Sequence, residues 1–265
     1  MQIKISHSTT YDYDAPVTYA LQRTRLTPVS SPLQTVHSWD MQLSGAAVQA
    51  GYKDHHGNQT HLLSADDNTQ SLTITVTGEV ETHDKAGVLG KIYGRAPLWY
   101  FKQATDTTAP GPLITKLAGD VSEDGSGVER LHGLSRAILE KVPYELNETH
   151  AATLAEEAMA LGHGVCQDHA NIFVSAARLL GLPARYVSGY LFMEDRVDQD
   201  ASHAWAEVHI DGLGWVGFDV SNGISPDERY VRLATGRDAQ DAAPVSGLRV
   251  GAGDESLIVS LQVQQ

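Results

Sequence analysis

Cysteine is nearly absent from this chain of 265 residues, which contains a single one, Cys166. One thiol cannot build an intrachain disulfide framework or a zinc ribbon held by several cysteines. An unpaired thiol also suits a reducing compartment better than an oxidising one. A chain of this length can bury a large apolar core, so the sequence predicts a fold that needs no covalent cross-links.

Long apolar runs and basic residues are also scarce. No stretch approaches the roughly 20 apolar residues of a membrane-spanning helix. The opening segment, MQIKISHSTT, lacks the apolar core of a secretory signal. Lys and Arg total 19 against 33 Asp and Glu, which gives a formal net charge of −14. We therefore expect a soluble cytoplasmic protein without nucleic acid or a membrane as its main partner.

The first 84 residues have the pattern of an all-β region. The segment Ser71–Thr77 alternates polar and apolar residues, so Leu72, Ile74 and Val76 should face a core. Similar short segments, separated by turn residues, predict strands at 2–13, 17–29, 34–43, 46–53, 59–65 and 70–82. We expect them to form an antiparallel β-sandwich.

The second half changes to a helical pattern. Apolar residues at spacings of three and four predict a helix over 128–142, which Pro143 ends. Thr153 and Glu156 fit a capping box for a second helix, which runs to about Leu161. The remaining predicted elements are a helix over 166–180, strands at 184–193, 203–210 and 215–220, and a tail over 223–265 that is mostly loop, with a final strand at 256–263.

These patterns predict an α+β protein with two domains. The region 85–127 is irregular and rich in turns, so the boundary should lie between about 85 and 112. We assign residues 1–95 to the N-terminal β-sandwich domain. Residues 96–265 then form the second domain, which includes the C-terminal tail strand.

Cys166 is the first candidate for chemistry, because it begins the predicted third helix. A helix N-terminus carries partial positive charge and unpaired N–H groups, and both favour a thiolate. The alternative is a buried structural cysteine, since cysteine is among the most frequently buried residue types.

A predicted hairpin supplies two possible partners for the thiol. If Ile210 lies opposite Gly214, Asp219 lies across from Trp205 and becomes the diagonal neighbour of His203. A nucleophile, a base and an orienting carboxylate are the groups that covalent acyl transfer requires. The alternative is an amphipathic strand pair whose polar face is satisfied within the fold.

Histidine spacing also raises a metal hypothesis, which we do not favour. His163, Cys166 and His169 recur at intervals of three, but His163 lies in the loop before the helix. Structural zinc sites usually use several thiolates or a second histidine pair, and the sequence has neither at a suitable spacing. We expect no metal ligands.

Four ordered motifs resemble the core of the transglutaminase-like superfamily. They are GVCQDHA at 164–170, GLPARYVSGY at 181–190, HAWAEV at 203–208 and GWVGFD at 214–219. The motifs RLTP at 25–28 and DHHGN at 54–58 are similar to the N-terminal β region of bacterial members. GRD at 236–238 and PVSG at 244–247 resemble the C-terminal signature of that group, so the resemblance spans the whole chain.

The resemblance implies a papain-like α+β core, in which a helix that bears Cys166 packs on an antiparallel sheet. It implies Cys166 as nucleophile, His203 as base and Asp219 as orienting group, with no cofactor and no calcium site. Trp205 is a candidate wall of the substrate groove, and Gln167 or a residue near Tyr144 is a candidate second oxyanion donor. His169 departs from the bulky apolar or aromatic residue that is usual at its position.

The predicted function is that of a cysteine peptidase or amidase, which cleaves a peptide or another amide through an acyl-enzyme. One alternative is a protein-glutamine transglutaminase, which transfers the acyl group to an amine. Another is a non-catalytic binding module that keeps the fold, and a third assigns the function to a partner-binding surface on residues 1–84. The sequence predicts neither the particular substrate nor the oligomeric state.

Overall fold

The computed structural model describes residues 1–92, 95–121, 124–199, 201–250 and 253–265. The strands are β1 (Gln2–Tyr13), β2 (Tyr19–Thr27), β3 (Gln34–Ser44), β4 (Ala46–Lys53), β5 (Gln59–Ala65), β6 (Ser71–Thr82), β7 (Val88–Gly90), β8 (Ala184–Leu191), β9 (Asp198–Gln199), β10 (His203–Ile210), β11 (Gly214–Phe218), β12 (Tyr230–Gly236), β13 (Val245–Val250) and β14 (Glu255–Gln264). The helices are α1 (Pro112–Gly119), α2 (Gly127–Lys141), α3 (Ala155–Leu161) and α4 (Cys166–Leu179), and Leu98–Lys102 forms a 3-10 helix. The predicted irregular region 85–127 therefore contains α1 and the 3-10 helix, and its residues 93, 94, 122 and 123 lie outside the described residues.

Two antiparallel sheets form the N-terminal β-sandwich. One has the strand order β3-β6-β1-β14-β9 and the other has the order β13-β2-β5-β4. In β6, Leu72, Ile74 and Val76 are all fully buried, as their alternation predicts. They pack with residues of the opposite sheet, including Leu26 and Leu63, in one apolar core. The α+β fold class is confirmed.

The C-terminal tail contributes to the sandwich rather than forming mostly loop. β14 pairs with β1 along ten residues, and β13 pairs with β2. The prediction of a loop over 245–250 is therefore wrong, as it is for 230–236, which form β12. The division into two domains at residue 95 stays a prediction. Strands β13 and β14 follow that boundary in the sequence but pair with strands that precede it.

The second half is built on a sheet of order β12-β8-β10-β11-β7. Helix α4 packs on one face of this sheet, where α1 and α2 join it in a second apolar core. Tyr190 of β8 and Val231 of β12 pack into the apolar core of the sandwich, so this sheet and the sandwich share buried contacts. Among the described residues, no helix is both long and apolar enough to cross a membrane.

Helix α3 begins one residue later than predicted, and its cap is different. Thr153 accepts a hydrogen bond from the backbone N–H of His150, which belongs to the preceding turn (3.0 Å). Glu157 instead accepts from the N–H of Leu154 (3.0 Å) at the start of the helix. The carboxylate of Glu156 caps the neighbouring helix α1, since it accepts hydrogen bonds from N–H groups at the start of that helix, including that of Leu113 (2.7 Å).

Candidate active site

Cys166 is the first residue of α4, as predicted, and its side chain is half-buried. The preceding Val165 is extended, and its backbone N–H donates to Asp168 Oδ2 (2.9 Å). The first intrahelical hydrogen bond runs from the N–H of His169 to the carbonyl of Val165 (3.0 Å). The N–H groups of the first helical turn, starting with that of Cys166, therefore precede the hydrogen-bonded helix and can serve a ligand.

The hairpin β10–β11 has the register that the sequence predicts. Ile210 lies opposite Gly214, and the pairing continues to Ala206 opposite Phe218. The next residue of the second strand, Asp219, accepts a hydrogen bond on Oδ2 from Nε2 of His203 (2.6 Å). The predicted histidine and carboxylate therefore form a direct pair.

Asp219 is fully buried and receives further hydrogen bonds. The Tyr230 hydroxyl donates to Oδ2 (2.7 Å), the Asn222 side-chain amide donates to Oδ2 (2.7 Å), and the Asn222 N–H donates to Oδ1 (3.2 Å). Burial alone would raise the pKa of Asp219, but the hydrogen bonds and the charge of His203 outweigh burial and lower it. Asp219 is thus held as a carboxylate.

The imidazole of His203 lies between the carboxylate and the thiol. Burial opposes its positive charge, but hydrogen bonds to Asp219 and to Cys166 outweigh this effect and raise its pKa to about 10. Because Nε2 is bound to Asp219, Nδ1 is the nitrogen left for Cys166. The structure therefore brings together all three residues that the sequence singles out as nucleophile, base and orienting group.

Trp205 does not line the space in front of the thiol. Its side chain is buried, its ring stacks on His203 (centroids 6.4 Å apart, planes at 29°), and Tyr230 packs against its edge (5.5 Å). Alternation along β10 places it on the same strand face as His203, where it packs with Val187, Leu191 and Tyr230. The prediction that Trp205 walls the substrate groove is not supported by this position, where the ring instead holds the imidazole of His203 in place.

Gln167 does line the cavity beside Cys166, and one of its amide hydrogens is directed to the carbonyl of Ala151 (3.3 Å). Tyr144, the other reference point for a second oxyanion donor, is exposed. Burial and the negative charges of Cys166 and Asp219 raise the pKa of Tyr144, and its ring packs against that of His169 (centroids 6.1 Å apart).

His169 takes part in structure rather than in a cluster with His163. Its Nε2 donates to the carbonyl of Val142 (2.7 Å), and its Nδ1 is bound to the Ser221 hydroxyl (2.8 Å). Burial lowers the pKa of His169, so the ring is neutral at pH 7. It connects helix α4 to the end of α2 and to the loop that follows Asp219, which explains a histidine at this position.

The sequence does not predict an ion-pair network that lies behind the site. Glu207 accepts hydrogen bonds from Arg185 (2.6 Å) and Arg232 (2.9 Å), and all three lie on neighbouring strands of the central sheet. Burial opposes the charge of Glu207, but the two guanidinium groups outweigh burial and lower its pKa. The sequence does place Glu207 on the same strand face as His203, which is a signal that Glu207 lies near the site. Its partner Arg232 lies on β12, a strand that the sequence does not predict.

A cavity of about 240 Å³ lies in front of the thiol and imidazole. The residues that line it are Val165, Cys166, Gln167, Tyr186, Ser188, Ala201, Ser202, His203, Ala204, Ala239, Ala242, Ala243 and Pro244. We call residues 239–244 the cavity wall. This wall lies between β12 and β13, separated from the end of β12 by two residues and directly before β13.

The N-terminal sandwich holds the cavity wall in place. The backbone N–H of Arg25 donates to the carbonyl of Pro244 (2.7 Å), and its guanidinium donates to that of Ala243 (3.4 Å). The same guanidinium forms a buried ion pair with Asp54 (3.0 Å). Asn58, from the same turn as Asp54, exchanges hydrogen bonds with the backbone of Thr235 (2.8 and 2.9 Å). The motifs RLTP and DHHGN thus support one side of the site.

A cysteine at a helix N-terminus, facing a His–Asp pair on adjacent antiparallel strands, defines an α+β core of the papain-like class. Residues 3–81 match the bacterial transglutaminase-like N-terminal region, and residues 115–220 match the transglutaminase-like superfamily. The two matches together make up more than half of the chain. The chain belongs to the transglutaminase-like superfamily, with the N-terminal region of its bacterial members.

Related proteins cover nearly the whole chain. An uncharacterized protein of Mycobacterium leprae (strain TN) is 28% identical over 279 aligned positions, which cover 99% of this chain and 98% of the relative. An uncharacterized protein of Mycobacterium tuberculosis (strain H37Rv) is 29% identical over an alignment that covers 98% of this chain and 91% of the relative. A crystal structure from Cytophaga hutchinsonii, described as a "putative cysteine protease", superposes with a TM-score of 0.80 at 22% identity, over 100% of this chain and 90% of that one. It shares the fold of both halves.

Proposed function

We propose that this protein is a thiol-dependent enzyme that cleaves amide bonds through an acyl-enzyme, as a cysteine peptidase or amidase. The observation that carries the proposal is the hydrogen bond from His203 Nε2 to the buried carboxylate of Asp219 (2.6 Å), which leaves Nδ1 for Cys166 at the start of α4. Binding modules have no need of a buried charged pair aimed at a half-buried thiol, and such perturbed groups cluster at catalytic sites.

Each group has a defined part in the first half of the reaction. The Cys166 thiolate attacks the amide carbonyl carbon, and the negative charge that develops on oxygen is received by N–H groups of the first turn of α4. The protonated His203 then donates its Nδ1 proton to the amide nitrogen. The C–N bond breaks, the amine leaves, and a thioester to Cys166 remains.

The second half regenerates the thiol. Neutral His203 takes a proton from a water molecule, whose oxygen attacks the thioester carbonyl, and the C–S bond breaks to release the carboxylic acid. Asp219 keeps the imidazole in the orientation and tautomer that direct Nδ1 toward the reacting atoms. We prefer hydrolysis because the resemblance is to bacterial members, which points to peptidase or amidase action more than to crosslinking.

Transfer to an amine is the second candidate, because the same acyl-enzyme accepts either nucleophile. The test is to incubate the protein with a peptide library in the presence and absence of a fluorescent primary amine, and to identify products by mass spectrometry. New carboxylic acids that require Cys166 support hydrolysis, whereas amine adducts support transamidation. Products that are unchanged in Cys166→Ala contradict the proposal, and the absence of any product favours a non-catalytic module.

The proposed substrate is a peptide or another amide-containing molecule, and the proposed location is the cytoplasm. The single cysteine and the net charge of −14 support a reducing compartment and the absence of nucleic acid or anionic lipid as partner. Fractionation of cells that express the tagged protein tests the location.

A further inference from the structure

The cavity beside Cys166 carries little charge. Among the described residues that line it, none is Asp, Glu, Lys or Arg. A thiolate at Cys166 and an imidazolium at His203 compensate each other, so a ligand in the cavity meets no net charge. A charged group that enters loses hydration without gaining an ionic partner, which is costly. Asp200, which precedes Ala201, lies outside the described residues.

Small side chains shape the cavity on two sides. Five alanines and a proline contribute to its lining: Ala201, Ala204, Ala239, Ala242, Ala243 and Pro244. The volume of about 240 Å³ falls below the range of roughly 300–1,000 Å³ that holds a drug-sized ligand. It exceeds the roughly 150 Å³ that holds a benzene molecule, so the space is sufficient for a single side chain. The uncharged lining, rather than the volume, decides which side chains enter.

The cavity wall is held on three sides, so its position is fixed. The Ser188 hydroxyl donates to the carbonyl of Ala242 (2.7 Å), and the N–H of Ala239 donates to Asn171 on α4 (3.2 Å). Arg25 binds the carbonyl of Pro244 from the N-terminal sandwich (2.7 Å). If a larger substrate side chain pushed this wall outward, these hydrogen bonds would break.

We propose that this cavity receives an uncharged side chain on the acyl side of the scissile amide. The inference rests on the proposed function, since it concerns the substrate of the same thiol. A cavity of this kind accepts peptides with an uncharged residue such as alanine or valine before the cleaved bond, and it disfavours glutamate polymers and lysine-rich peptides.

The test uses thiol-directed probes rather than an unidentified substrate. Aminoacyl chloromethyl ketones that carry Ala, Val, Glu or Lys side chains are compared with iodoacetamide, which has no side chain, by mass spectrometric rates of labelling at Cys166. We expect the Ala and Val probes to react at least about tenfold faster than the Glu and Lys probes, because the site rejects unpaired charges.

The outcomes separate this inference from the proposed function. Slow labelling by iodoacetamide at pH 6 overturns both. Fast labelling by iodoacetamide with equal rates for all four side chains overturns the cavity assignment alone. A Lys probe that reacts fastest also overturns it, and points to an acidic group at the cavity.

A pair of variants tests the wall directly. Ala243→Leu should lower the ratio of Val-probe labelling to iodoacetamide labelling at least about fivefold, because the larger side chain narrows the cavity. Ala160→Leu makes the same change at an exposed position of α3 and is the control. If the two variants give the same probe ratios, residue 243 does not limit the cavity and the proposal fails.

Discussion

Replacing His203 with alanine should change how the alkylation of Cys166 depends on pH. In the wild-type protein the imidazolium of His203 persists to about pH 10, because its pKa is raised by Asp219 and Cys166. A thiolate paired with this cation should be alkylated at a nearly constant rate between about pH 6 and pH 9. In the variant, the rate should rise about tenfold per pH unit toward the free-thiol pKa of about 8.5.

The structure indicates the size of the effect. The difference between a pKa of about 10 and the ordinary 6.5 corresponds to roughly 5 kcal/mol in favour of the imidazolium. A free thiol at pH 6 is only about 0.3% ionised. The paired imidazolium should raise the thiolate fraction at Cys166, and lower intrinsic nucleophilicity offsets part of this gain, so we expect a wild-type rate about tenfold above that of the variant at pH 6.

The assay is the rate of iodoacetamide labelling by intact mass spectrometry from pH 5 to pH 9. Cys166 is the only cysteine, so each added label reports on one site. His209→Ala, which removes a histidine from the far end of the same strand, is the matched control and should keep the wild-type profile. Parallel profiles for wild type and His203→Ala, both rising toward pH 8.5, would refute the thiolate–imidazolium pair.

Three further outcomes are expected. Tyr230→Phe removes a hydrogen bond to the buried Asp219 carboxylate and should lower the free energy of unfolding by about 1–3 kcal/mol in urea titrations; no change would mean that the bond contributes nothing. Arg25→Met leaves Asp54 buried without its cation and should cost about 3–5 kcal/mol, and Arg25→Met with Asp54→Asn should recover part of the loss, whereas additive losses would contradict the pairing. Because the pKa of His203 is higher in the folded than in the unfolded protein, its stabilising effect is complete below about pH 6.5 and is lost as the pH rises through about 10. The stability of wild type should thus fall more steeply than that of His203→Ala over this range, and equal slopes would disprove the assignment.

Most secondary structure could be predicted from local patterns, and the failures have a common cause. Strand β10 has the predicted bounds, and the hairpin register followed from the turn after Ile210. Strand β12 is buried along nearly its whole length, so its sequence shows no alternation of polar and apolar residues. Strand β13 lies at a sheet edge with Leu248 and Val250 exposed, so only its pairing with β2 defines it.

In the candidate site, too, the residues placed by local patterns could be predicted and those placed by distant contacts could not. Cys166, His203 and Asp219 could be selected because a helix start and one hairpin place them by local rules. Tyr230 and Arg25 could not, since each reaches the site from a distant segment. The surroundings of Trp205 could be predicted only in part, because alternation shows that it shares a strand face with His203 but not that Tyr230 packs against its ring.

The pairing of β1 with β14 has a consequence for the synthesis of this protein. β1 is the middle strand of its sheet, and about 240 residues separate Tyr13 from its partner Glu255. At roughly 5–20 residues per second, a ribosome takes on the order of 10–50 seconds to supply that partner. During this interval one edge of β1 offers unpaired N–H and C=O groups to any other nascent chain. A chain that stops before Glu255 keeps that edge open permanently, and should aggregate through it even with every residue of the candidate site in place.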